Sequence, residues 1–327
     1  MIQYPTDAIL AVTYRCDARC KMCNIWQLKP TEHLGVDDYA KVPSTLRDVN
    51  ISGGEPFLRK EIVEIVKAVY EKCEGPRIVI SSNGFRTRHI IAAMEELRRT
   101  IPHIGIGISI DGIGEKHDAI RGVKGAYENA IATVKELRQR GFANIRLSFT
   151  IMNDNVGDLR AVYDLSRSLG VELSTAVAQN SEIYFSTQEN TQVDGDALAD
   201  ALGYVMSREL VSYQPKRWVR AYYQSGSLVF NSERRRILEC LAGIDFFYLS
   251  PDGLVYPCLT VPTPMGDLKN HTFEEIWESE TADEVRRQVK GCEQCWMICS
   301  ARTVLKKNAP KVLGWIGMEK LKSHFRK

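Results

Sequence analysis

Cys16-Asp17-Ala18-Arg19-Cys20-Lys21-Met22-Cys23 follows an apolar, strand-like run at residues 9–12. The spacing is CxxxCxxC. Three thiolates on one short loop that also carries Arg19 and Lys21 can hold three irons of a cubane cluster and leave the fourth iron without a protein ligand. The alternatives are a zinc knot or a disulfide loop. Zinc pairs a CxxC with a second pair nearby, whereas the next cysteine here is Cys73, far along the chain. The spacing therefore favours a cluster with one open iron, the position at which chemistry can begin.

The chain has 327 residues, 44% hydrophobic and 26% charged, values of an ordinary globular protein with room for a core and a second small domain. The formal net charge of +2 gives no argument for nucleic acid, because the basic residues are scattered except near the carboxyl terminus. No apolar run reaches membrane-spanning length and residues 1–7 lack the layout of a signal peptide, so a cytoplasmic protein is expected. In a reducing compartment nine cysteines point to metal ligation rather than disulfides, and they fall into an early trio and a late quintet with Cys73 apart. Cys73 ends a helical pattern and is expected to be a packing residue.

Outward from the cysteine loop, short β-type runs alternate with amphipathic helical patterns. The predicted strands are residues 9–13, 48–52, 77–81, 104–110, 145–151 and 171–176. Six β/α units imply a parallel sheet, and the fold class is α/β: a partial (β/α)6 TIM-like barrel with a small C-terminal auxiliary-cluster domain. The expected division is residues 1–214 for the barrel, 215–236 for a linker helix, 237–301 for the auxiliary domain and 302–327 for a basic amphipathic tail. Such barrels carry their reactive groups in the loops after the strands. After the second strand comes Ser52-Gly53-Gly54-Glu55-Pro56, whose glycines allow close backbone approach to a ligand and presentation of amide groups. Ser81-Ser82-Asn83-Gly84 follows the third strand, Ser109-Ile110-Asp111-Gly112 the fourth, Asn153-Asp154-Asn155 the fifth and Gln179-Asn180 the sixth. Singly these are turn sequences. Together they place polar groups around one mouth.

The CxxxCxxC, Gly53-Gly54-Glu55-Pro56, and Ser109-Ile110-Asp111-Gly112 with His117-Asp118 and Arg121-Gly122 resemble the radical S-adenosylmethionine superfamily over about the first two hundred residues. The resemblance implies a 4Fe–4S cluster on Cys16, Cys20 and Cys23, whose open iron chelates S-adenosylmethionine. It also implies that Gly53, Gly54 and Glu55 contact the methionine end and that Ser109 and Asp111 reach the ribose. Met22 stands where the family packs a side chain on adenine, often an aromatic; Ser82 and Asn83 resemble its Thr-Asn-Gly variant. Arg121 is placed either to pair with the cofactor carboxylate or to form an ordinary helix salt bridge. The implied reaction is reductive cleavage to a 5′-deoxyadenosyl radical, which removes hydrogen from a substrate carbon, with an external one-electron reductant of flavodoxin or ferredoxin type as partner.

Residues 197–214 and the aromatic-rich residues 218–230 predict two further helices. Then come Cys240, a hairpin turn at Ser250-Pro251-Asp252-Gly253 with Cys258 beyond it, a helical run at 272–277, Cys292-Glu293-Gln294-Cys295, and Cys299. Pro251-Asp252-Gly253, Tyr256-Pro257-Cys258, Gly266-Asp267-Leu268 and the CxxC resemble the SPASM/Twitch auxiliary-cluster domain of the same superfamily. Four soft thiolates suit zinc or a cluster equally by ligand type; the company of the barrel favours an auxiliary 4Fe–4S cluster. Five cysteines are too few for two complete sites, so the single-cluster form is the better match, with Cys240, Cys258, Cys292 and Cys295 as ligands and Cys299 left over. Cys299 in place of Cys292 or Cys295 is the alternative set. In sugar epimerases of this kind a spare cysteine returns a hydrogen atom to the substrate, which makes Cys299 a candidate donor; an inert thiol or a ligand are its other readings.

The tail from residue 302 carries seven Lys or Arg from Lys306 onward against Glu319 alone, with apolar residues interleaved. A basic amphipathic helix can lie on an anionic membrane surface or dock on the barrel with its lysines in water. The barrel starts within about ten residues of Met1, which leaves no leader-peptide-binding domain before it. The expected substrate is thus a small or lipid-linked sugar- or cyclitol-like molecule, dehydrogenated or epimerised, with a ribosomal peptide as the alternative. A non-catalytic iron–sulfur or zinc module is the remaining reading, and it gives the polar mouth no purpose.

Overall fold

The computed structural model describes residues 3–28 and 33–325, without the side chains of residues 299–300 and 323–325. Each predicted apolar run becomes a strand: β1 (Asp7–Ala11), β2 (Asp48–Ser52), β3 (Arg77–Ser82), β4 (Gly105–Ser109), β5 (Ile145–Ile151) and β6 (Glu172–Val177). The bounds of β2 and β5 agree with the sequence reading. β1 starts and ends two residues early, because Thr13 leaves the ladder and turns back so that its Oγ1 accepts from Arg15 N at 3.0 Å.

The helices are α1 (Val36–Tyr39), α2 (Ile62–Lys72), α3 (Thr87–Thr100), α4 (Glu115–Arg121), α5 (Ala126–Gln139) and α6 (Leu159–Ser168), then α7 (Gly195–Leu210) and α8 (Pro215–Glu233). Strands β1 to β6 lie in the order β6-β5-β4-β3-β2-β1, each parallel to its neighbours. Ile78, Ile80, Ile106, Ile108 and Leu147 face Ile65, Val66, Met94 and Val134 on the helices, in the main core. Cys73 is fully buried there, its Sγ 3.5 Å from Pro43 O, as a packing residue should be.

β7 (Phe246–Leu249), β8 (Leu254–Tyr256) and β9 (Gly266–Asp267) contain the predicted hairpin, with Gly253 at φ 101° in its turn. The unexpected feature is where β7 goes. It pairs in parallel with β1, from Asp7↔Phe246 to Leu10↔Leu249, so one sheet of nine strands runs β6-β5-β4-β3-β2-β1-β7-β8-β9.

α9 (Phe273–Trp277) opens on a capping box, Thr272 with Glu275, and α10 (Glu280–Val289) follows. The tail forms two helices, α11 (Ile298–Lys307) and α12 (Ala309–Phe325), where one was expected. Val312 and Ile316 of α12 are buried with Tyr222 of α8, and Lys320 Nζ sits 3.5 Å above the Trp218 ring. The tail therefore docks on the barrel-side helix. Leu313, Met318 and Leu321 remain exposed. Among the described residues no helix is long and apolar enough to cross a membrane.

Candidate active site

The loop after β1 is held from two sides. On one side lie the glycines after β2: a Cβ on Gly53 would stand 2.3 Å from Thr13 O, and one on Gly54 2.2 Å from Arg15 O. Gly53 also has φ 135°, a conformation that side chains rarely adopt. The amides of Gly54 and Glu55 donate to Thr13 O at 2.7 Å and Arg15 O at 2.8 Å. This corrects the expectation that these amides face a ligand, since both N–H groups are consumed in bracing the chain just before Cys16. On the other side the end of α4 supplies carbonyls: Arg19 N donates to Arg121 O at 2.8 Å and Lys21 N to Ile120 O at 2.9 Å.

Glu55 is buried, and its carboxylate accepts from Phe57 N at 3.1 Å, Ser82 Oγ at 3.0 Å and Asn83 N at 2.7 Å. Burial pushes its pKa up to about 7 against these three donors. Asn83 in turn donates through Nδ2 to Asp17 Oδ1 at 2.7 Å, inside the cysteine loop. Glu55, Ser82 and Asn83 thus join β2, β3 and the loop. Glu55→Gln is expected to cost about 1–3 kcal/mol, because either orientation of the amide turns an N–H toward a backbone N–H. Chemical denaturation of the cofactor-free protein checks this; an unchanged midpoint would show that the network is dispensable.

Asp111 is fully buried, yet it does not project freely into the mouth. Its Oδ1 accepts from Thr150 N at 2.7 Å and its Oδ2 lies 2.5 Å from Arg121 Nη2. Arg121 Nη1 donates to Cys20 Sγ at 3.5 Å, so Cys20, Arg121 and Asp111 form one chain of contacts. Of the two expectations for Arg121 the structure shows the salt bridge, with Asp111. Among the described residues Arg121 Nε is buried without a hydrogen-bond partner. The same Asp111 donates its backbone N–H to His117 Nδ1 at 3.0 Å, and burial together with Arg121 pushes that imidazole down to about 3, so it is neutral with its proton on Nε2. Ser109 ends β4 and is partly exposed, while Met22 is buried with its carbonyl accepting from Asn190 Nδ2 at 3.1 Å.

Cys16, Cys20 and Cys23 are each partly exposed, and burial pushes Cys16 up to about 12 and Cys23 up to about 11. Cys20 is also raised by burial, with Arg121 pulling the other way. Cys240, Cys258, Cys292 and Cys295 line one small cavity. Burial raises Cys240 and pushes Cys295 up to about 12; the neighbouring cysteines add to both. Arg236 crosses this site, donating through Nη1 to Cys295 O and lying 5.0 Å over the Trp296 ring. The side chain of Cys299 lies outside the described residues; its backbone is in the first turn of α11.

The sequence model of the radical SAM superfamily matches residues 10–165. An iron–sulfur cluster-binding domain, SPASM, matches residues 240–296 and includes those four cysteines. The chain belongs to the radical SAM superfamily. The AdoMet-dependent heme synthase of Methanosarcina barkeri is 27% identical over 277 residues, 79% of this chain and 74% of that one. The antilisterial bacteriocin subtilosin biosynthesis protein AlbA of Bacillus subtilis is 25% identical over 291 residues, 84% of this chain but 60% of its own length. Among solved structures, native anSMEcpe with bound AdoMet and a Cp18Cys peptide superposes with a TM-score of 0.65 at 14% identity, covering 95% of this chain and 98% of that one. At that identity the likeness concerns the fold.

The radical SAM domain binds a 4Fe–4S cluster and S-adenosylmethionine, and the SPASM domain binds iron–sulfur. The residues present fit both groups. The donors are thiols, which become thiolate ligands by releasing a proton to solvent as the metal binds. Among the described residues no three His, Cys, Asp or Glu side chains gather as one metal ion would need, whereas a cubane takes each thiolate on a separate iron. The unpartnered Arg121 Nε beside Cys20 suits a carboxylate.

Beyond Gln179 and Asn180, sequence reasoning missed the segment between β6 and α7. Its Phe185 O accepts from Asn24 N at 2.7 Å, and its Tyr184 OH lies 2.5 Å from Ser52 Oγ. Tyr184 meets Tyr248 of β7 edge to face at 5.4 Å, and among the described residues the buried Tyr248 hydroxyl has no hydrogen-bond partner. Tyr248 belongs to the apolar cluster that contains Cys258 and Cys295, and Tyr184 packs against it. No local periodicity marks them.

Between that segment, α8 and the SPASM loops lies a cavity of about 370 Å³ lined by Gln179, Asn180, Gln188, Asn190, Asn231 and Gln294 among others. Asn190 Nδ2 donates to Met22 O and Gln179 O, and Asn231 Nδ2 to Val193 O. Backbone carbonyls thus take both N–H groups of Asn190 and one of Asn231, which leaves the Oδ1 atoms as acceptors.

Proposed function

We propose that this radical SAM enzyme abstracts a hydrogen atom from an uncharged, hydroxyl-bearing substrate of sugar or cyclitol type, free or lipid-linked, bound in the carboxamide-lined cavity. The observation that carries this reading is the lining itself: amide oxygens accept hydroxyl hydrogens, and Arg234 is the one charged residue among those that line the cavity. A polycarboxylate would need several cations there. When bound, the cluster on Cys16, Cys20 and Cys23 and S-adenosylmethionine supply reductive carbon–sulfur cleavage and hydrogen abstraction.

The chain's own residues orient and shield. Arg121 Nε and the carbonyls, not the amides, of the Gly53-Gly54-Glu55 backbone receive the methionine end, Ser109 the ribose, and Met22 the adenine. Glu55, Ser82, Asn83 and Asp111 act by holding the loop and Arg121 in place. Tyr184 and Tyr248 exclude water between the two cluster sites. Cys240, Cys258, Cys292 and Cys295 would hold the auxiliary cluster, which would supply an electron acceptor for a dehydrogenation; without that transfer, return of hydrogen would give epimerisation. The electron comes from an external flavodoxin- or ferredoxin-type reductant.

A peptide is the second reading, favoured by the relative named for bacteriocin biosynthesis, since backbone N–H groups suit the same acceptors. The test is 5′-deoxyadenosine release by the reconstituted, reduced enzyme with cyclitols and neutral sugars, peptides, and a porphyrin polycarboxylate. Stimulation of about tenfold or more by a polyhydroxylated compound, lost in Asn231→Leu, is expected. Stimulation by peptide or porphyrin alone would overturn the sugar reading.

A further inference from the structure

At the end of the barrel remote from the cysteine loop, the starts of β3, β5 and β6 and helices α8, α11 and α12 enclose a second cavity of about 380 Å³. That volume is within the range of small-ligand sites, roughly 300–1,000 Å³. Part of its wall is apolar, with Val79, Val219, Leu305 and Val312, and around these stand Arg77, Arg146, Lys216, Arg220, Arg302 and Lys306.

Most of these cations have carboxylates. Arg77 and Lys306 pair with Asp48 at 2.6 and 2.7 Å, and Arg302 with Asp7 at 3.1 Å. Lys216 pairs with Glu172 at 2.7 Å, and Arg220 with Glu172 at 3.1 Å and Glu209 at 3.0 Å. Glu209 is shared with Arg217 as well, so seven cations face four carboxylates. Arg146 is the one left over: among the described residues its guanidinium has no carboxylate at ion-pair distance and no hydrogen bond. Burial and the neighbouring Arg302 and Arg77 push it down to about 10, still charged at neutral pH.

The fold makes room for this side chain. Arg146 lies across β4 at a glycine, where a Cβ on Gly107 would stand 3.2 Å from Arg146 Nε. Arg146 is only partly buried and its guanidinium lines the cavity without a carboxylate of its own, and an apolar wall left wet beside it is unfavourable. A bare anion answers the first need, and an apolar molecule the second.

We infer that this cavity binds a single-chain amphiphilic phosphate, its head on Arg146 with Arg302 and Arg220 nearby, and its alkyl chain along Val79, Val219, Leu305 and Val312. The excess of positive charge suits a phosphate monoester, which guanidinium groups bind through two hydrogen bonds at once. The site is separate from the radical chemistry and does not rest on the substrate proposed above.

The experiment is calorimetric titration of the full, cluster-loaded chain with dodecyl phosphate below its micelle concentration, beside dodecanol and inorganic phosphate. One dodecyl phosphate per chain is expected, bound at least tenfold more tightly than either fragment. Arg146→Gln should remove about tenfold of that affinity and abolish the preference over dodecanol. Leu313→Trp, a change at an exposed position of α12 on the cavity's rim, should weaken binding without touching the charge. Equal binding of dodecanol, equal binding of inorganic phosphate, unchanged affinity in both variants, or no saturable binding would each overturn the inference.

Discussion

Replacing Cys16, Cys20 and Cys23 together by alanine is expected to lower the iron of anaerobically reconstituted protein from about eight to about four per chain and to abolish 5′-deoxyadenosine release. The two cysteine sets are on different elements. The first is one loop clamped by Gly54, Glu55, Ile120 and Arg121, and the second lines its own cavity with Arg236 across it. Losing the first should therefore leave the second filled. Retention of all iron in the triple variant would show that other residues ligate the cluster, and zinc in place of iron would remove the basis of the radical reading.

Arg121→Gln is expected to have the largest effect on stability of any single change in the site, about 3–5 kcal/mol in the cofactor-free protein. Asp111 has no exposed surface, and without Arg121 its charge would keep only the Thr150 amide. The companion substitution Asp111→Asn should recover part of the loss, because the pair would then be replaced rather than broken. A denaturation cycle over the wild type, both single variants and the double variant measures the coupling. Strict additivity would mean that the two groups do not interact, contrary to their 2.5 Å approach.

Alternation of β-type runs with helical patterns was enough to place all six parallel strands, β1 by a continuous buried run and β5 by strict alternation of buried and part-exposed residues. The polar stretches after them do gather at one end, with the cysteine loop. What each polar residue does there was less legible. Gly54 and Glu55 looked ligand-facing, but an amide's partner is fixed by the chain that passes beside it, and Thr13 and Arg15 are that chain. Arg121 had two possible partners in sequence, and the choice depends on Asp111 lying inside its reach after folding. The pairing of β7 on β1 links residues more than two hundred positions apart, and no short-range pattern encodes it. Tyr184 and Tyr248 are near each other for the same reason.

That pairing has a consequence for any attempt to treat the SPASM unit as an exchangeable cartridge. A chain cut after α8 keeps all six β/α units, yet it strips β1 of its neighbour along four residue pairs, in a strand whose five residues are all buried. A bare apolar edge of that kind recruits other chains. Grafting the unit from another protein is accordingly a question of strand register rather than of linker length: the incoming strand has to match Asp7, Ala8, Ile9 and Leu10 rung for rung, or the two cluster sites come to rest at the wrong separation.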